Sequence, residues 1–361
     1  MDIFVVFLFI INSLWCFENI SPPYIEELGQ SAWYQNEQID SDQYADLPEA
    51  LIAPGRFLHI SAEGRFLYWE AREEGLALGK IKPSQKSLDN EVLQQDYAFK
   101  PGFNLSLMFQ LSRSNWDTTF SYTQFDSMIH TKIQGKNTEV ILSPFFDPII
   151  ELERLESDWT LKLTLLDTEL GKTCFLGEHF FYRPFIGLRF YLLNQKLFLD
   201  GYPFPVGLFM NPALASVTFY SQTANHWSRS HSLGPRVGTD LDFLLGYGLQ
   251  AHCNVASSIV YFNYDASAQR SIDLEEDIET KITINNDAFL RALSEISTGL
   301  SFGGHLFHEQ LYVDVGIFFD AKVFSGHNPF SDLLRNLSNQ INGYYGNLYF
   351  WGLSCALRSE F

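Results

Sequence analysis

Basic residues are scarce in this chain of 361 residues: 24 lysines and arginines stand against 43 aspartates and glutamates, a formal net charge of -19. So acidic a chain argues against nucleic acid as a partner, because neutralising phosphates needs a basic face. Long apolar runs are equally scarce. Beyond the first residues no segment approaches the roughly 20 apolar residues that a spanning helix requires. A place in a membrane would therefore demand a closed β-barrel, the other structure that satisfies every backbone hydrogen bond in lipid. Cysteine is nearly absent too. Past Cys16 only Cys174, Cys253 and Cys355 occur, an odd number at wide spacing with no metal-ligand pattern, so neither a disulfide framework nor a cofactor is expected.

Aromatic residues, in contrast, are abundant. They make up 16% of the chain, with Phe 33 and Tyr 17, and they are dispersed among polar residues, as alternating strands require. The chain opens on an apolar run from Ile3 to Ile11, followed by Asn12, Ser13 and Leu14 and turning polar at Glu18. This reads as a secretory signal peptide over residues 1–16. Asp2 stands where a positive residue is usual, and bulky Trp15 disfavours both the cleavage site and lipid attachment at Cys16. Residues 17–55 are acidic, carry Pro22, Pro23, Pro48 and Pro54, and show no sustained period; a polar periplasmic segment is expected there.

From residue 56 to 361 the period is two. Leu58, Ile60, Phe66 and Tyr68 alternate with His59, Ser61, Glu63 and Arg65, and Phe103, Leu105, Leu107, Phe109 and Leu111 alternate with Asn104, Ser106 and Gln110. Further strands carry Trp116, Phe120 and Tyr122; Trp159, Leu161, Leu163 and Leu165 against Lys162; Ile186, Leu188 and Phe190 against Arg183 and Arg189, with Pro184 an awkward member; and Leu233 and Val237 against Arg236 and Asp240. Leu249 and Val255 against Gln250 and His252, Leu290 and Ile296 against Arg291 and Glu295, Val313 and Ile317 against Asp314 and Asp320, and the final Tyr349, Trp351, Leu353 and Leu357 complete the set. Short turns follow the even-numbered strands. Long segments follow the others, at residues 73–99, 131–158, 194–229, 267–287 and 325–346.

Short periplasmic turns, long outer loops and both termini on one side are the pattern of an antiparallel up-and-down outer-membrane barrel with an even strand number. The spacing predicts about ten strands, and roughly 12 to 16 if residues 214–223 and 138–143 add more. A soluble β-sandwich also alternates. The bands of Tyr68, Trp69, Trp116, Trp159, Tyr247, Tyr349 and Trp351 at strand ends favour the barrel, where they form aromatic girdles.

Phe361 is the last residue of the final alternating strand. A terminal Phe there, with Tyr349, Trp351, Leu353 and Leu357 in phase, resembles the signal read by the barrel-assembly machinery of Gram-negative bacteria. Four further stretches carry a family resemblance: residues 61–77, residues 159–171 with their Asp167, Thr168, Glu169, Leu170 and Gly171 end, residues 183–189, and residues 233–238. In order and spacing they are similar to the chlamydial and Legionella major-outer-membrane-protein-like porins. The resemblance implies a pore-forming barrel of the outer membrane and carries over no catalytic residue.

The face opposite the lipid collects Glu63, Arg65, Lys162, Arg183, Arg189, Arg236, Asp240, Arg291, Glu295, Asp314, Asp320, Arg358 and Glu360. Interleaved charges of this kind suit a constriction that filters ions or small hydrophilic solutes. They equally suit salt bridges that plug the barrel, since small barrels are filled and wide ones conduct. The expected function is passive diffusion of such solutes, with a plugged structural or adhesive barrel acting through its outer loops as the alternative. Outer-membrane lipid is the expected surrounding, and a homo-oligomer is compatible with the sequence. Catalysis has thin support: His252 with Asn254, or His305 with His308, lacks a third partner at a motif spacing. The acidic run Asp273, Glu275, Glu276, Asp277 and Glu279 lacks the spacing of a calcium loop.

Overall fold

A computed structural model describes residues 58–82, 91–111, 115–135, 140–146, 151–177, 179–203, 221–272, 278–306, 311–330, 333 and 346–360. The expected signal peptide, the 17–55 segment, Phe361 and most of the acidic run at 273–279 lie outside these residues. Ten strands build a barrel wall: β1 (Leu58–Glu73), β2 (Phe99–Leu111), β3 (Trp116–Gln134), β4 (Leu152–Lys172), β5 (Phe180–Pro203), β6 (Gln222–Gly246), β7 (Leu249–Ile272), β8 (Ile278–Leu306), β9 (Leu311–Phe324) and β10 (Leu348–Glu360). Each pairs antiparallel with its neighbours in sequence. β10 pairs with β1, Glu360 opposite Ser61, and closes the ring. Closure removes the two exposed edges that an open sheet would leave.

The connections obey the expected alternation. Residues 112–115, 173–179, 247–248 and 307–310 join strands at one rim, and the longer links lie at the other. The tightest is the two-residue turn Tyr247-Gly248, where both residues have positive φ (55° and 80°), the backbone that matches the twist of paired strands. Gly248 is needed twice over, because a Cβ there would lie 2.3 Å from the Gly303 carbonyl oxygen. Pro184 is tolerated because the ladder on the β4 side is interrupted there, between Gly171 opposite Phe185 and Cys174 opposite Tyr182, while on the other side it stands opposite Thr239 of β6.

The strands are far longer than a membrane needs. About 9–11 tilted residues cross the hydrocarbon, yet β5, β6 and β7 run for 24, 25 and 24 residues and β8 for 29. Much of what the sequence offers as long outer loops, at 194–229 and 267–287 above all, is instead strand that continues beyond the apolar belt into a crown. Polar residues there alternate with buried small or apolar ones, as Asn225 and Arg229 do with Ala224 and Ser228, so the ladder has no reason to stop. Three short strands, Gly79–Lys82, Glu91–Leu93 and Val140–Leu142, pair beside this crown. Val140–Leu142 is thus no additional stave of the wall.

Along the strands that reach the crown the apolar residues change sides. On β1, outward Phe66 and Tyr68 are half-exposed, and from Leu67 upward the inward residues Leu67, Trp69 and Ala71 are apolar and buried. On β4 the outward Leu166 and Leu170 give way to the buried inward Leu165, Leu163, Leu161 and Trp159. The expected phase of that strand is therefore corrected: its leucines fill the interior, and Lys162 faces outward and is exposed. Trp69 and Trp159 likewise belong to the core rather than to a girdle. The physical reason is the surrounding medium. Beside lipid the outer face is apolar and the lumen holds polar groups, whereas above the lipid the outside is water and the inside must be dry.

Candidate functional site

The lumen beside the apolar belt is occupied by charge. Arg189 of β5 lies between Asp167 of β4 (2.7 and 2.6 Å) and Glu295 of β8 (3.0 Å). Arg236 of β6 reaches the same Glu295 through Nε (3.0 Å) and also binds Glu169 of β4. Arg183 of β5 holds Asp117 of β3 (2.9 Å), Glu169 (3.1 Å) and Asp240 of β6 (2.7 Å). Lys322 of β9 completes the set on Glu295 at 2.7 Å. Four cations thus meet five carboxylates, and several bonds span the lumen between strands that are not neighbours. Charge-assisted bonds between buried partners are the strong kind, and removing a charge that serves several partners at once leaves each of them under-compensated.

A second cluster hangs from Asp320 of β9, which accepts bonds from Trp69 Nε1 (3.1 Å), Ser297 (2.6 Å) and Ser354 (2.6 Å), with Arg65 at 3.6 Å. Arg65 also pairs with Glu63 at 2.9 Å and lies 4.3 Å from the centre of the Phe318 ring. Arg358 pairs with Asp314 at 3.2 Å and with Glu360 at 3.6 Å. Of the lumen residues expected from sequence, Arg183, Arg189, Arg236, Asp240 and Glu295 come together in one network, and Glu63, Arg65, Asp314, Asp320 and Arg358 form smaller groups around it. Lys162 is outside. Arg291 stands higher, over the Phe289 ring (4.8 Å) and beside Gly326.

Sequence reasoning missed Asp117, Asp167, Glu169 and Lys322. Asp117 was within reach, since it falls in antiphase to Thr118, Phe120 and Tyr122 on a strand already recognised. Asp167 and Glu169 were hidden by the inverted phase of β4.

Above the charges lies a continuous apolar core drawn from every wall strand except β2. Aromatic rings carry it across: Phe125 of β3 touches Phe350 of β10 (5.7 Å), Phe350 touches Phe324 of β9 (5.2 Å), and Phe324 touches Tyr191 of β5 (5.4 Å). β5 and β9 are four strands apart around the wall, so the last contact joins opposite sides. Leu76, Leu78, Phe145, Phe146 and Phe330 from the connections cap it. His327 sits fully buried within it, its Nδ1 2.9 Å from the Ser325 carbonyl oxygen and its Nε2 accepting from the Tyr191 hydroxyl. Burial holds this imidazole down at about 3, so it is neutral at physiological pH.

Below the core a cavity of about 970 Å³ extends to the rim of short turns, where Gly246, Tyr247, Gly248, Gly303 and His179 line it; its inner end reaches Leu67, Trp69, Glu295 and Lys322. It is a vestibule whose inner end meets the buried apolar core at Leu67 and Trp69.

A family model described as Legionella pneumophila major outer membrane protein precursor matches residues 58–321, and the chain belongs to that family. The protein is therefore an outer-membrane β-barrel. Among solved structures the chain is similar to the outer membrane protease OmpT from Escherichia coli (8% identity, 84% of this chain and 96% of that chain covered, TM-score 0.40). It is also similar to a major outer membrane protein from Thermus thermophilus (7%, 85% and 100%, 0.28) and to the P. putida toluene transporter TodX (9%, 85% and 90%, 0.27). No curated protein matches the chain.

Proposed function

We propose that this protein is a sealed outer-membrane barrel that acts at the cell surface through its crown, and that it is not an open diffusion channel. The observation that carries the reading is the contact of Tyr191 with Phe324 across the lumen at 5.4 Å, embedded in a core with buried members from nine of the ten wall strands. Ten strands enclose little more than the eight whose interior side chains fill. In this orientation the short turns face the periplasm, the crown faces outward, lipid surrounds the belt, and the assembly machinery reads the last strand, Tyr349, Trp351, Leu353, Leu357 and Phe361.

Solute diffusion is the second reading, favoured by the vestibule with both signs of charge on its wall and by the family's pore-forming character. Osmotic swelling of liposomes carrying the refolded protein separates the two. The sealed reading expects sugars and amino acids to enter no faster than into protein-free liposomes, and faster entry would favour diffusion.

A further inference from the structure

Asp242 and His252 line the vestibule and, with Ser301 buried just behind them, make an arrangement that neither reading uses. Asp242 of β6, His252 of β7 and Ser301 of β8 stand on three consecutive strands. His252 Nδ1 lies 2.5 Å from Asp242 Oδ1, and His252 Nε2 lies 2.7 Å from Ser301 Oγ. The backbone fixes this line: Asp242 is the cross-strand partner of His252, and His252 faces Gly299, two residues before Ser301. The imidazole reaches the serine diagonally across the β7–β8 ladder, and the space above Gly299 is filled by the Phe318 ring, 2.5 Å from where a Cβ would stand. With Nδ1–H donated to the carboxylate, Nε2 is the acceptor of the Ser301 hydroxyl proton. That is the order of atoms in a nucleophilic relay, which is recognised by geometry and roles rather than by sequence position.

We propose that Ser301, His252 and Asp242 form an esterase site that takes short neutral or cationic carboxylic esters entering by the short-turn rim. The charged residues that line the vestibule disfavour anionic substrates: Glu63, Asp167, Glu169, Asp240, Asp242, Glu295, Asp314 and Asp320 outnumber Arg65, Arg183, Arg236, Lys322 and Arg358. Ser301 Oγ attacks the ester carbonyl while its proton passes to His252 Nε2. The C–O bond to the alcohol then breaks and the alcohol leaves with that proton. Water repeats the sequence on the acyl-serine, returning the free hydroxyl and a carboxylic acid.

Asp242 is a positioning residue, holding the imidazole tautomer. Gln250 is the direct cross-strand partner of Ser301, and its Nε2 donates to the Tyr312 hydroxyl at 3.1 Å. As the amide nearest in register to the serine, Gln250 is the side chain assigned to the oxyanion.

Ser301 is only 2% exposed, and the Phe318 ring is what covers it. A Cβ on Gly316, opposite Ser301, would lie 2.6 Å from Phe318 Cε2 and 3.1 Å from Ser301 Cβ, and the ring centre is 5.7 Å from that of His252. Phe318 is therefore the door, and swinging it into the vestibule opens the nucleophile.

The test is labelling of the refolded barrel with a fluorophosphonate, read by peptide mass spectrometry, alongside hydrolysis of p-nitrophenyl acetate. We expect one adduct, on Ser301, absent in Ser301→Ala, formed faster in Phe318→Ala, and unchanged in Ser106→Ala on the opposite wall. Asp242→Asn should lower kcat by about 100-fold to 10,000-fold with KM unchanged, a split that a merely structural aspartate would not produce. No adduct on Ser301 in either the native chain or Phe318→Ala, with both migrating as folded barrels, would overturn the proposal. So would an adduct that survives Ser301→Ala. Conductance plays no part in this readout, so the esterase site and the sealed lumen stand or fall separately.

Discussion

Glu295 is the residue on which the lumen network turns. Its carboxylate serves Arg189, Arg236 and Lys322 at once, and Glu295→Gln would put a neutral amide against two buried arginines, which keep only Asp167 and Glu169, and against the half-buried Lys322. Removing one member of a buried ion group costs about 3–5 kcal/mol, so urea unfolding of this variant from vesicles should shift by that order. A shift below about 1 kcal/mol, the range of surface pairs, would show the network to be solvated. His327 gives the crown a pH dependence. Its folded value near 3 lies below the ordinary 6.5, so between these values the unfolded chain binds the proton and the folded chain does not. Stability is therefore complete above about pH 6.5 and falls as pH drops towards 3. His327→Gln should flatten that part of a stability-against-pH curve, and an unchanged slope would remove His327 as its source.

At the scale of the strand, the exchange of apolar residues between faces is the feature a linear reading handles worst. Period two alone reports alternation and not which face is wet. Where lipid-facing residues dominate, as in β2 and β10, apolar means outward and the sequence assigns the faces correctly. In β4 the run Trp159, Leu161, Leu163 and Leu165 belongs to the dry crown, and the same rule inverts it. The ten strands, their alternating connections and five members of the central network were legible because they follow from local alternation. The length of the crown and the relay Asp242, His252 and Ser301 were not, because they depend on cross-strand register. Two substitutions test the exchange on one strand. Leu166→Arg places a charge against hydrocarbon and should cost up to about 2–4 kcal/mol, whereas Lys162→Glu, two turns of the pleat higher in water, should leave stability within about 0.5 kcal/mol. Equal effects would mean that the belt extends past Lys162.

The whole molecule is a wall with two interiors: a charged one beside lipid and an apolar one above it. The polar vestibule is compatible with a solute, and the sealed reading rests on the apolar core packed over it. Closing a ten-stranded ring brings opposite walls within reach of two aromatic side chains, and the sequence supplies them at the crown level in Tyr191, Phe324 and Phe350. The most direct measurement is single-channel recording of the refolded protein in a planar bilayer at neutral pH. A sealed barrel predicts a flat baseline in protein shown by heat-modifiable migration to be folded. Discrete, reproducible conductance steps from the same protein would contradict it.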